Sequence, residues 1–304
     1  MTRAPHRLSG AVAGIALTVA GLAAALAGTA HGQAGTDLTI RRVDTTEPGV
    51  VRLSVVVTGR VGEAAFIVRE NGQPVPNVTV RPTAQTATPV ATVLTIDTSG
   101  SMARRLAAAQ AAAKGFVDRT LDNETVAVVS FDNAVRVVTG FTSDRALLYQ
   151  AIDTLRAAGE TALWDAVVAS AALLAERPDA TANLVLLSDG AESGRSAAGP
   201  EAARAAVSSA RAAAFTIALL GGQESDSAAL QQLAQATGGQ YSETADAAQL
   251  PALYRRAQQT LQSQFEIAYR STAPGAIVVQ VQSGDAVAEA TAVANAVVAG
   301  PSTR

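Results

Sequence analysis

Three oxygen-bearing side chains stand at alternate positions where an apolar run ends: Asp97, Ser99 and Ser101. Alternate residues of an extended segment point the same way, so these oxygens can converge on one point. One carboxylate with two hydroxyls suits a hard cation such as magnesium, which takes oxygen ligands and keeps some of its water. A second carboxylate, Asp189, also ends an apolar run, Asn183–Leu187, and a third hydroxyl, Thr161, lies in the segment Gly159-Glu160-Thr161. Two carboxylates offset a divalent charge, and neutral hydroxyls leave the ion electrophilic. So few side chains do not fill six octahedral positions, so water completes the shell and one place is open to an acidic group from outside. Taken singly, each residue has a plainer use. Asp97 or either serine can cap the helix that follows, and Asp189 before Gly190 can form a turn. Taken together, the five favour a metal cage.

The elements that must position these residues lie between about 89 and 263, where strand-like and helix-like runs alternate. That alternation implies a parallel sheet with helices on its faces. Val90–Ile96 reads as a buried strand feeding a helix over Met102–Leu121, and Thr125–Phe131 as the next strand. Ala134–Phe141 reads as an antiparallel edge strand, and Ser143 or Asp144 as the cap of a helix reaching Ala157. Further helices are expected over Ala162–Ala175, Glu201–Ala214, Asp226–Ala236 and Ala247–Ser263, with strands over Asn183–Leu187, Phe215–Leu220 and Gln240–Ser242. In such an open sheet ligands bind beyond the carboxyl ends of the strands, where the strand order reverses. Asp97 and Asp189 would share that edge, with Thr161 in reach.

The flanks read differently. Residues 37–88 and 264–299 carry β-branched runs with turn signals and no helical period. Asn71-Gly72 between two such runs is a hairpin signal. About fifty residues are few for a sandwich, so the C-terminal strands are expected to complete the N-terminal ones. The α/β unit would then be inserted into a discontinuous β-sandwich-like domain.

Composition removes most alternatives. The 304 residues contain no cysteine, and the two histidines, His6 and His31, lie at the extreme N-terminus. Thiol nucleophiles, disulfides and thiolate zinc sites are thus excluded, as is a Ser–His–Asp triad in the folded body. The net charge of −3 leaves no nucleic-acid footprint. No phosphate-binding Gly-Lys loop occurs, and no second copy of Asp97-Thr98-Ser99-Gly100 exists to form a like-charged protease dyad. Arg3 and Arg7 followed by the uncharged run Ala11–Ala27 and small residues read as a cleaved export signal over 1–32. An uncleaved N-terminal anchor is the alternative. The expected location is secreted or at the cell surface.

With these residues in place, a family resemblance follows. Asp97-Thr98-Ser99-Gly100-Ser101-Met102 resembles the DxSxS signature of von Willebrand factor type A (VWA) domains. Thr161 is similar to that family's second-loop threonine, Asp189 to its third-loop aspartate, and Leu233–Tyr241 to its late helix-to-strand segment. The resemblance covers about residues 89–263. It implies a doubly wound, mostly parallel Rossmann-like sheet with a metal-ion-dependent adhesion site formed by Asp97, Ser99, Ser101, Thr161 and Asp189. It also implies adhesion or assembly through a partner protein's Asp or Glu that completes the ion's shell. The flanking strands resemble the accessory sandwich of extracellular members. The expected ion is Mg²⁺, with Mn²⁺ or Ca²⁺ as alternatives. No enzyme activity or small-molecule substrate is expected; a structural subunit of an envelope assembly and a metal-dependent hydrolase are the competing readings. Glu160, Glu192 and Arg195 read as solvated charges, Trp164 as core, and the Leu250–Leu261 helix as core-facing.

Overall fold

A computed structural model describes residues 36–59, 66–189, 192–220, 227–271, 273 and 275–294. The expected export segment, 1–32, lies outside the described residues. In chain order the strands and helices are β1 (Thr36–Asp44), β2 (Val50–Gly59), β3 (Phe66–Glu70), β4 (Gln73–Pro74), β5 (Thr79–Pro82), β6 (Val90–Asp97), α1 (Leu106–Val117), β7 (Glu124–Phe131), β8 (Val135–Thr142), α2 (Arg145–Asp153), α3 (Leu163–Ala175), β9 (Thr181–Ser188), α4 (Pro200–Ser209), β10 (Ala213–Leu219), α5 (Ser227–Ala236), β11 (Gln240–Thr244), α6 (Leu250–Gln262), β12 (Gln264–Arg270), β13 (Gly275–Ser283) and β14 (Ala286–Ala294).

The central sheet has the order β11-β10-β9-β6-β7-β8. All its pairs are parallel except β7–β8, so β8 is the antiparallel edge strand that the sequence predicts. β6 is buried at every position, as a central strand covered on both faces must be. Alternate side chains divide between two cores. Leu94, Ile96, Val126, Val128, Val185 and Leu187 meet α1, α2 and α6 on one face. Ala91, Val93, Ala127, Val129, Leu184 and Leu186 meet α3, α4 and α5 on the other. Each buried Leu, Ile or Val contributes about 1.5–3 kcal/mol relative to exposure. Trp164 and Tyr254 lie in these cores as expected. The expected mostly parallel sheet between helix layers is therefore the fold.

Several boundaries differ. α1 ends at Val117, short of Leu121, and α4 ends at Ser209, short of Ala214, because Ala213 and Ala214 already belong to β10. Residues Gly100–Arg104 form a 3-10 turn, closed by Met102 N–H to Ser99 O and Arg105 N–H to Met102 O, so α1 begins at Leu106 rather than Met102. α2 stops at Asp153, short of Ala157, with Asp144 as its cap: the Asp144 carboxylate accepts from Ala146 N–H and Leu147 N–H.

The flanking strands form two antiparallel four-stranded sheets, β1-β2-β12-β5 and β14-β13-β3-β4. C-terminal strands complete N-terminal ones: β12 pairs with β2 and β5, and β13 with β3. Asn71 and Gly72, both at positive φ, make the tight β3–β4 turn. Leu38, Val51, Leu53 and Val55 of one sheet share a core with Val68, Ile277, Val279 and Val281 of the other. Arg41 of β1 reaches the α/β unit. Its guanidinium donates to Gly238 O and Asn183 Oδ1 and lies 5.3 Å from the centre of the Phe215 ring. Among the described residues no helix is long and apolar enough to cross a membrane.

Candidate metal centre

The chain passes from β6 to β7 on one side and later enters β9 on the other, so strand order reverses between β6 and β9. Asp97 is the last residue of β6, and Ile96 pairs with Leu187 of β9, two residues before Asp189. The carboxylates therefore reach the reversal point of the sheet edge, where a doubly wound fold leaves a crevice.

Asp97 is fully buried. Its Oδ1 accepts from Ser99 N–H at 2.8 Å, and its Oδ2 accepts from the Ser188 hydroxyl at 2.7 Å. Asp97 thus folds its own loop and does not cap α1, whose N-terminus has no side-chain cap. Burial pushes its carboxyl up to about 6, with the neighbouring Asp189 charge adding to the rise; the Ser99 and Ser188 hydrogen bonds oppose it. Ser99 is buried, and its Oγ lies 2.9 Å from the Oγ of exposed Ser101. The first loop therefore presents two adjacent hydroxyls beside a buried carboxylate.

Thr161 is fixed from several directions. Thr98 anchors to β7 by donating both its N–H and its hydroxyl to Phe131 O. It accepts from Ala158 N–H at 2.9 Å, and Gly100 N–H donates to Gly159 O at 2.9 Å. Ala162 N–H donates to Asp132 O, and Glu160 N–H to Asn133 Oδ1. Gly159 has φ +74, and a Cβ there would come within 2.7 Å of the Asn133 side chain. The glycine therefore serves both the left-handed turn and the close approach. Thr161 N–H donates to Ser193 Oγ at 2.8 Å, and Thr161 O accepts from Ser193 N–H at 3.3 Å. The second loop is thereby fastened between the first and third loops.

Asp189 is buried, and its Oδ1 has no hydrogen-bond partner. Its Oδ2 lies 4.0 Å from Arg105 Nη1, while that guanidinium faces Leu219 O and Leu220 O at 3.3 and 3.4 Å. A buried carboxylate oxygen left unpaired is costly unless a cation or donor meets it. Among the described residues no three His, Cys, Asp or Glu side chains group so as to hold a metal ion by themselves, so hydroxyls would have to complete any such set. What this edge offers is two carboxylates plus hydroxyls, a hard-oxygen donor set that fits a divalent cation.

Several supporting residues escaped the sequence reading. Ser188 orients Asp97, Asp132 and Asn133 hold the second loop, and Arg105 faces Asp189. Glu192, expected to be solvated, instead accepts from Leu163 N–H, Ser196 N–H and the Ser196 hydroxyl, fastening the third loop to the start of α3. Hydrogen bonds to backbone and hydroxyl hold its carboxyl below the usual range, against its burial. Glu160 and Arg195 form an exposed ion pair beside Thr161.

Residues 92–192 match the family model of the von Willebrand factor type A domain. That match covers about a third of the chain and lies within the α/β unit, whose sheet order and helix layers are those of the VWA fold. The chain is similar to a von Willebrand factor type A structure from Catenulispora acidiphila, at 15% identity and a TM-score of 0.53, over 88% of this chain and 75% of that one. It is also similar to proximal thread matrix protein 1 from the mussel byssus in a form described as having a zinc-occupied MIDAS motif. There the identity is 18% and the TM-score 0.52, over 64% of this chain and 50% of that one. Identities this low establish the fold alone. No curated protein sequence matches the chain.

Proposed function

We propose that this protein is an exported, metal-dependent binding module. A divalent cation held by Asp97, Ser99, Ser101, Thr161 and Asp189 is completed by an Asp or Glu of a partner protein. The observation that carries this reading is Asp189 Oδ1, a buried carboxylate oxygen without a partner beside the buried carboxylate of Asp97. The mussel protein with a zinc-occupied MIDAS motif supports the same use of this edge. Mg²⁺ is the ion proposed, with Mn²⁺ and Ca²⁺ as the other oxygen-seeking candidates. The described residues contain no histidine to serve as a base, so binding rather than turnover is proposed. The location is the secreted or envelope-associated space, reached through residues 1–32.

Calorimetric titration with Mg²⁺ and Mn²⁺ tests the reading. One site is expected, with affinity falling by about ten-fold or more in Asp97→Ala and, as a variant on an exposed position, Ser101→Ala. Partner retention from the native envelope should be released by EDTA. Unchanged affinity in both variants, or retention indifferent to EDTA, sinks the proposal.

A further inference from the structure

At the opposite end of the central sheet, a cleft of about 460 Å³ lies between the α/β unit and the β1-β2-β12-β5 sheet. Its walls carry five of the chain's arginines: Arg41, Arg42, Arg52, Arg177 and Arg211. Three carboxylates, Asp44, Asp179 and Glu266, also line it. The cleft is therefore net positive in a chain of net charge −3.

The arginines are not equally engaged. Arg41 is held by Gly238 O and Asn183. Arg42 Nη2 bonds Asp44 at 2.7 Å, but its buried Nε has no partner. Arg52 pairs with Glu47 at 2.7 Å and lies 3.8 Å from Glu266. Among the described residues, neither Arg177 nor Arg211 has a carboxylate within ion-pair distance; Arg177 rests over the Phe141 ring at 5.2 Å. Arg211 sits at φ +54 because it closes α4: its N–H donates to Ser208 O at 3.0 Å and Ala212 N–H donates to Val207 O at 3.1 Å, a left-handed helix cap that leaves its guanidinium free to extend from the turn. Arg42 Nη1 also faces Pro178 O at 3.4 Å, and the charges of Arg42 and Arg211 both act on Asp44. One carboxylate shared by two guanidinium groups, beside a buried Arg42 Nε with no partner, leaves donors that can recognise planar or tetrahedral oxyanions by paired N–H bonds.

We propose that this cleft binds a small multivalent oxyanion, bridging Arg177 and Arg211 of the α/β unit with Arg42 of the antiparallel sheet. Carboxylates and phosphates share this chemistry. The cleft volume accommodates more than one such group, so pyrophosphate and citrate are the probes. Both would be titrated calorimetrically into the full chain in metal-free buffer, and thermal unfolding followed alongside. Saturable binding and a rise in melting temperature are expected, because the ligand joins the two units. Stronger pyrophosphate binding assigns a phosphate ligand, and stronger citrate binding a carboxylate one. The double variant Arg177→Gln/Arg211→Asn should weaken binding about ten-fold or more, since each change removes a charge-assisted contact. Asn accepts the left-handed backbone at 211, so the variant retains the turn. Asp97→Ala should leave oxyanion binding unaltered, which separates this site from the metal edge. The absence of saturable binding by either probe, or undiminished binding in the double variant, overturns the proposal.

Discussion

Asp97 and Glu124 are both deeply buried carboxylates, but they are spent differently. Asp97 faces the sheet edge beside a second carboxylate. Glu124 sits at the start of β7, where Oε1 accepts from the Thr92 hydroxyl at 2.6 Å and Oε2 from Leu121 N–H at 3.1 Å. Burial raises the Glu124 carboxyl above its ordinary value, and the two hydrogen bonds only partly offset this. A folded-state value above the unfolded one means that protonation favours the fold. Its contribution is fully present below the unfolded value and is lost as pH rises through the folded value. Glu124→Gln stays neutral and can still accept from Leu121 and donate to Thr92. Relative to the parent protein, the variant should therefore gain stability between about pH 4 and neutrality. Denaturant titrations at both ends of that window measure this; a stability difference that stays flat with pH refutes it. At this scale the sequence singles out the proposed ligands Asp97, Ser99, Ser101, Thr161 and Asp189, because type and spacing alone mark a hard-oxygen set. It was silent about Ser188, Asp132, Asn133 and Glu192, whose roles arise from strands and loops meeting only in the fold.

Between elements, the close approach of backbones matters most. Gly239 follows the turn before β11, and a Cβ there would lie 1.9 Å from Ala214 O of β10. Such an overlap with backbone cannot be relieved by turning a side chain. Gly239→Ala should destabilise by about 3 kcal/mol through forced separation of β10 and β11, seen as a lower urea midpoint with the slope retained. A variant with an unaltered midpoint would show that β11 is free to shift. The strand and helix runs of the α/β unit were legible because each carries its own period and punctuation. The late start of α1 was not. Gly100–Arg104 is helix-compatible in composition, and only the ties to Ser99, Asp97 and the second loop hold it as a 3-10 turn. The pairing of C-terminal with N-terminal strands follows from a shortage of strands on either flank, but long-range pairing leaves no local mark of its register.

Across the whole molecule, Arg41 is the most connected link between the antiparallel sheets and the α/β unit. It reaches the Gly238 carbonyl, the Asn183 amide oxygen and the Phe215 ring. Arg41→Met keeps much of the side-chain bulk and removes these polar contacts. It should cost about 2–4 kcal/mol, with the buried acceptors it leaves behind supplying a large share. Calorimetric unfolding should shift to lower temperature while Mn²⁺ affinity at the proposed site stays within about two-fold, because Asp97 and Asp189 lie at the other end of the sheet. An unchanged melting temperature would mean that the connection between the units rests elsewhere.

The α/β unit leaves the antiparallel sheets after β5 and rejoins them at β12, and these strands are neighbours, with Pro82 opposite Phe265. Exit and return thus lie about one strand spacing apart. A body held by a single linker sweeps a cone and must surrender that freedom when it docks. Two side-by-side attachments and the Arg41 contact remove most of it in advance. The edge carrying Asp97 and Asp189 is therefore carried at a fixed bearing, and a partner that meets it need not supply the free energy of aiming it.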